Sequence, residues 1–159
     1  MTHPDQLAEI ALYQLTTNSL DQVLPRILDK IYAGSMRALV VTDCQERLIS
    51  LNTALWTYSP GSFLPHGMEG SPDKPMDNPI WLSLEPINKN QATILVLTGG
   101  QAVSDLSGYT RCVDIFDGND PTALTAAHTR RDQYRNNGHS VIYWQQSGKG
   151  TWNKIEEAA

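Results

Sequence analysis

Few side chains in this chain of 159 residues could do chemistry, and their spacing decides what they can form. His3, His66, His128 and His139 are scattered, with no pair at the i, i+4 or short-loop spacing that turns two imidazoles toward one zinc ion, so no metal site is expected. Cys44 and Cys112 carry no local signature of a nucleophile and make neither a zinc motif nor a disulfide framework; inert, reduced thiols are expected. The segment "SGKGT" (147–151) lacks the upstream glycine and the strand-to-helix setting of a phosphate loop, and no G-x-S-x-G elbow occurs. The Gly99–Gly100 turn is the nearest approach to a phosphate-binding loop. With the carboxylates Asp105 and Asp114 it supports one reading of the chain, a small α/β nucleotide-binding protein or enzyme. His66 and Asp73 share a loop, but a histidine beside a proline is more often a packing or capping residue than a base. These spacings point to no catalytic residue and no cofactor.

Two other groups of residues suit binding. In "LNTALWTYSPGSFLPHG" (51–67) a tryptophan closes a helical run and is followed by a proline-stiffened turn. Trp56, Phe63, Leu64 and Pro65 there can present apolar surface in a fixed shape, with little side-chain entropy to lose on binding; the alternative is that they close the core over a sheet edge. In the second group Leu124, His128, Arg131 and Arg135 recur at helical spacing and share a face, with Asp132 on its border. The alternative there is a solvated helix face.

The elements that must position these residues alternate. "EIALYQL" (9–15) reads as a strand, and Leu20, Val23, Leu24, Ile27, Leu28 and Ile31 fall at helical spacing between a cap at Asn18 or Ser19 and a stop at Gly34. Pro25 predicts a kink or a late start in that helix, because an interior proline removes a hydrogen bond and clashes with the carbonyl four residues back. "RALVVTD" (37–43) is a buried-strand run, and Leu48, Leu51, Leu55 and Trp56 return to helical spacing. The stretch from Ser59 to Pro79 is rich in proline and glycine and reads as a long loop. Strands follow at 80–84, 92–100 and 111–117, then a helix from Pro121 to Asn137 entered at Asp120 and stopped at Gly138, and a last strand at 139–146. This alternation predicts a mostly parallel sheet with helical crossovers in one α/β domain over 1–159, ending in a polar tail from about 147 in which Trp152 alone is tied down.

Composition narrows the function classes. A hydrophobic share of 40% and a charged share of 18% suit one globular domain rather than a disordered chain or a coiled coil. A formal charge of −5 argues against a general nucleic-acid binder, which neutralises several phosphates with a basic surface, so any direct DNA contact is expected to be weak. No run reaches the length of a membrane span and the N-terminus lacks a signal pattern, so a cytoplasmic protein without a membrane partner is expected.

The motif from Leu55 to His66, followed by "PIWLS", resembles the chi subunit family of bacterial DNA polymerase III holoenzyme, in which a helix ends in leucine-tryptophan and leads to phenylalanine, an aliphatic residue, proline and histidine. Leu55, Trp56, Phe63, Leu64, Pro65 and His66 match that pattern in order and spacing. "CVDIFDGNDPTALTAAHTRRDQYRNNGHSVIYW" resembles the family's last strand–helix–strand unit, including Tyr134–Arg135 and Gly138, and the likeness runs over roughly residues 9 to 154. The resemblance implies a single Rossmann-like three-layer domain and a non-catalytic adaptor in DNA replication. One surface, around Trp56, Phe63, Leu64, Pro65 and His66, would hold the psi subunit or another clamp-loader component. Another, with Arg130, Arg131 and Arg135 as cationic donors and Leu124, His128 and Val141 or Tyr143 beside them, would take the acidic, aromatic-ended C-terminal tail of single-stranded DNA-binding protein. Leu124, His128 and Asp132 stand where the family pattern would have basic residues.

Overall fold

In the computed structural model, which describes residues 7–58, 64–103 and 105–155, eight strands form one sheet between two helical layers. The elements run β1 (Glu9–Leu15), α1 (Leu20–Ala33), β2 (Ala38–Val41), α2 (Gln45–Thr57), β3 (His66–Met68), β4 (Ile80–Ser83), β5 (Ile94–Leu97), β6 (Arg111–Asp117), α3 (Pro121–Asn136), β7 (Ser140–Gln146) and β8 (Trp152–Ile155). In space the strands lie in the order β3-β4-β2-β5-β6-β1-β7-β8, and every pairing is parallel except β7 with β8. This is the expected α/β architecture, a three-layer, Rossmann-like domain.

Alternation along β1 divides the core in two. Ile10 and Leu12 point to the face covered by α3, joining Leu39, Leu95, Cys112, Phe116, Ala127 and Tyr134. Tyr13 and Leu15 point to the face covered by α1 and α2, joining Leu24, Leu28, Leu51, Val96 and Val113. The central strands β2 and β5 are buried on both faces, which accounts for their unbroken apolar runs.

Local chemistry sets the helix ends. Gln22 Oε1 accepts from the Ser19 backbone N–H at 3.0 Å, fixing the start of α1 where the cap residues predict it. The late start anticipated from Pro25 does not occur: Pro25 lies buried inside α1, which runs unbroken from Leu20, so the lost backbone bond is tolerated where the ring packs into the core. Asp120 accepts from the Thr122 N–H at 3.0 Å ahead of Pro121, and Gly138 at φ 91° turns the chain out of α3.

Two segments differ from expectation. The proline-rich stretch contains β3, which places His66 beside Ile80 of β4, and a 3-10 turn at Pro75–Asp77. The polar tail is not a loose end: Trp152–Ile155 is an antiparallel edge strand on β7, with Trp152 opposite Gln146. Trp152 is held edge-on against Tyr13, at 5.1 Å between ring centroids.

Candidate functional site

The sheet carries a crevice where ligands usually bind in open α/β folds, at the carboxyl ends of the strands between β6 and β1. The chain itself occupies its anion-binding groups. Successive backbone N–H groups of Thr16, Thr17 and Asn18, in the loop after the first strand, all donate to Gln146 Oε1 at 3.2, 3.0 and 3.0 Å. Such a nest of amides is the usual seat of a phosphate, and here an amide oxygen from β7 fills it. A Cβ on Gly99 would stand 2.6 Å from Asp43 Oδ1, so the Gly99–Gly100 turn packs against a carboxylate, and Asp117 and Asp120 add further negative charge to the crevice. Asp114 and Asp105 do not meet there. Asp105 bonds Ser107 in an exposed turn, whereas Asp114 is buried under α3.

Asp114 explains a correction to the α3 surface. Arg130 is only 6% exposed; its Nε and Nη2 donate to the two Asp114 oxygens at 2.8 and 3.0 Å, and Tyr134 Oη donates to the same carboxylate at 3.1 Å. Burial works against the Arg130 charge, but the bonds to Asp114 outweigh it and hold the guanidinium above its ordinary value. Arg130 is therefore a core residue engaged by Asp114 and not a donor to a peptide on the surface. Burial, reinforced by the Asp114 charge, also pushes the Cys112 thiol and the Tyr134 phenol far up, so Cys112 is the inert thiol expected of it.

The rest of the α3 face is assembled as its spacing predicts. Leu124 and Val141 are half-buried against the α3-side core. His128 lies over Tyr143, with Nε2 3.2 Å from the phenol oxygen; since Tyr143 donates to Gln14, His128 is the donor in that bond. Val141 rather than Tyr143 offers surface, because Tyr143 is buried. Arg131 Nε bonds Asp132 at 3.2 Å, and Arg135 is exposed on the last turn. One arginine of the three is thus withdrawn and another shares its charge with a neighbouring carboxylate.

At the other end of the sheet, Leu55 enters the core while Trp56 is 56% exposed, and Ile49, two turns earlier on α2, is 49% exposed. The Trp56 ring lies 4.7 Å from that of His66, which is itself 5% exposed. His66 Nδ1 lies 2.7 Å from the Leu64 carbonyl, and a carbonyl only accepts, so Nδ1 carries the proton and Nε2 is a bare acceptor. Nε2 is buried, and among the described residues it has no hydrogen-bond partner. Leu64 is 2% exposed and packs in the core, a correction to its expected place on the presented surface, while Pro65 is half-buried. Phe63 lies outside the described residues. Sequence reasoning missed Ile49, although its spacing seven residues before Trp56 was a visible signal of a shared helix face.

The fold and these surfaces define a doubly wound α/β domain in which the amides of the first strand-end loop are taken by Gln146 and the exposed groups singled out above, Trp56, Ile49 and Arg135, sit on helices. The family model of the DNA polymerase III chi subunit, HolC, matches residues 7–142. The chain belongs to that family. It is also 23% identical over 154 residues to the probable DNA polymerase III subunit chi of Rickettsia prowazekii (strain Madrid E), across 94% of this chain and 93% of that protein. Among the described residues, no helix is long and apolar enough to cross a membrane.

Proposed function

We propose that this chain is a non-catalytic accessory subunit of DNA polymerase III holoenzyme in the cytoplasm, linking the clamp loader through a psi subunit to the C-terminal tail of single-stranded DNA-binding protein. The observation that carries this reading is Trp56, a large aromatic left more than half exposed at a helix end and backed by a buried histidine whose Nε2 has no partner among the described residues. A rigid aromatic beside a desolvated polar group is the anatomy of an interface anchor. Trp56 and Pro65 form the psi-side surface, with Ile49 extending it and the buried His66 backing Trp56. Leu124, His128, Arg131, Arg135 and Val141 form the tail-side surface.

Titration of the purified protein with a psi subunit and, separately, with a synthetic acidic peptide ending in an aromatic residue tests both halves. The psi complex should survive high salt. The peptide complex should weaken as salt rises, because exposed charges are screened beyond about 8 Å at physiological ionic strength. Arg135→Glu should harm peptide binding more than Arg135→Ala, and Asp132→Lys, which replaces a carboxylate beside Arg131 with a cation, should improve it. A folded protein that binds neither partner would overturn the reading.

A further inference from the structure

A groove on the α1 side of the sheet, about 610 Å³ in volume, is lined by none of the residues assigned to the two surfaces above. Beyond the edge of α1, the sheet presents Tyr13 of β1, Trp144 of β7 and Trp152 of β8, all half-buried. Tyr13 and Trp144 lie in register on neighbouring strands with planes only 21° apart and centroids 6.5 Å apart, while Trp152 stands at 86° to Tyr13. Two rings thus make a platform and the third a wall. Along the helix side, Arg26 and Lys30 are exposed one turn apart in front of Ile27, and Arg111 closes the near end. Among the described residues Arg26 and Lys30 make no ion pair, and Arg111 has only a long, exposed contact with Glu9 at 3.7 Å. Asp29 is the carboxylate on the rim, on the outer side of α1 beyond Arg26.

We infer that this groove takes a short single-stranded nucleic acid, its bases stacking on Tyr13 and Trp144 against Trp152 and its phosphates passing Arg26, Lys30 and Arg111. An aromatic platform beside a row of cations is the sequence-tolerant way of holding unpaired bases and their backbone. Arg26 and Lys30, with side chains about 5–6 Å apart at their bases, can meet successive phosphates of an extended strand. In a chain of net charge −5, this concentration of cations around open aromatic faces is a local exception, and it makes the contact short and strongly salt-dependent.

Fluorescence anisotropy with labelled oligothymidylate and oligouridylate of about fifteen nucleotides tests the inference. Three phosphate contacts give a log–log salt slope of about −2, so a fourfold rise in salt should weaken binding about 18-fold. Arg26→Glu with Lys30→Glu alters only exposed side chains; it should weaken binding at least tenfold and bring the slope toward about −0.7. Trp144→Ala, checked for folding by its melting curve, should cost about tenfold. Saturable binding of either oligonucleotide with these losses supports the inference. Failure of both to bind at low salt overturns it. So does binding that ignores the Arg26/Lys30 change but is abolished by Arg135→Glu, or capture by the groove of an acidic peptide in place of either oligonucleotide.

Discussion

Arg130→Met separates the buried role of Arg130 from the surface role its sequence position suggests. The substitution removes both bonds to Asp114 and leaves that carboxylate, 1% exposed, with Tyr134 as its remaining side-chain donor. Removing one partner of a buried pair costs about 3–5 kcal/mol, because the other charge stays buried and uncompensated. At roughly 2–4 °C per kcal/mol for a chain of this size, the melting temperature should fall by about 6–20 °C. Adding Asp114→Asn, which removes the stranded charge but still accepts from Tyr134, should restore more than half of the loss. Differential scanning calorimetry on the wild type, both single variants and the double variant gives the coupling directly, and peptide titration well below the melting point should find Arg130→Met binding within about twofold of wild type. A melting temperature within about 2 °C of wild type combined with lost peptide binding would refute the reasoning and return Arg130 to the surface.

Trp56→Ala should cost on the order of 2 kcal/mol or more of psi binding while shifting the melting temperature little, measured by calorimetric titration and thermal melting on one preparation. Gln146→Leu leaves the amides of Thr16, Thr17 and Asn18 without their acceptor and should lower stability in denaturant titrations by about 2 kcal/mol or more, whereas Gln146→Glu, which keeps an acceptor there, should lose less. Burial raises Cys112 above its ordinary value of 9.0 and Tyr134 above 10.0, so the unfolded chain gives up these protons first. Their contribution is whole below pH 9.0 and is lost as pH rises beyond it, so the melting temperature should fall as pH climbs past that value, with Cys112→Ala delaying the onset toward the phenol range. A melting temperature that stays level through pH 10 would contradict this.

The helices and most strands were legible because their burial is periodic: Ile10 and Leu12 alternate with Ala11 and Tyr13, and the apolar face of α1 repeats at helical spacing. β3 escaped because its three residues, His66, Gly67 and Met68, carry no period and become a strand only through pairing with β4. β8 escaped because Asn153 and Lys154 make its sequence polar, while what holds it is Trp152 against Tyr13, 139 residues earlier in the chain. Arg130 was misplaced for a related reason. A helical wheel sets it near the Arg131–Arg135 face, and its partner lies on another element. The clue was present in "CVDIF", where an aspartate inside an otherwise apolar strand calls for a buried cation. Leu64 shows the limit in the other direction, since a motif can be recognised without revealing which members face inward.

The order of the strands also sets a distance. Trp56 stands on α2, which packs over β3 and β4 at one margin of the sheet, and Arg135 stands on α3, which packs across β6, β1 and β7. From β3 to β1 is five strand spacings, about 24 Å at roughly 4.8 Å each, and the two helices lie on opposite faces of the sheet. That gap is about three times the screening length of physiological salt. Exposed charge around Trp56 is therefore largely screened at Arg135. The sheet works as a rigid spacer, so a surface substitution at one of these helices leaves the electrostatics of the other unchanged.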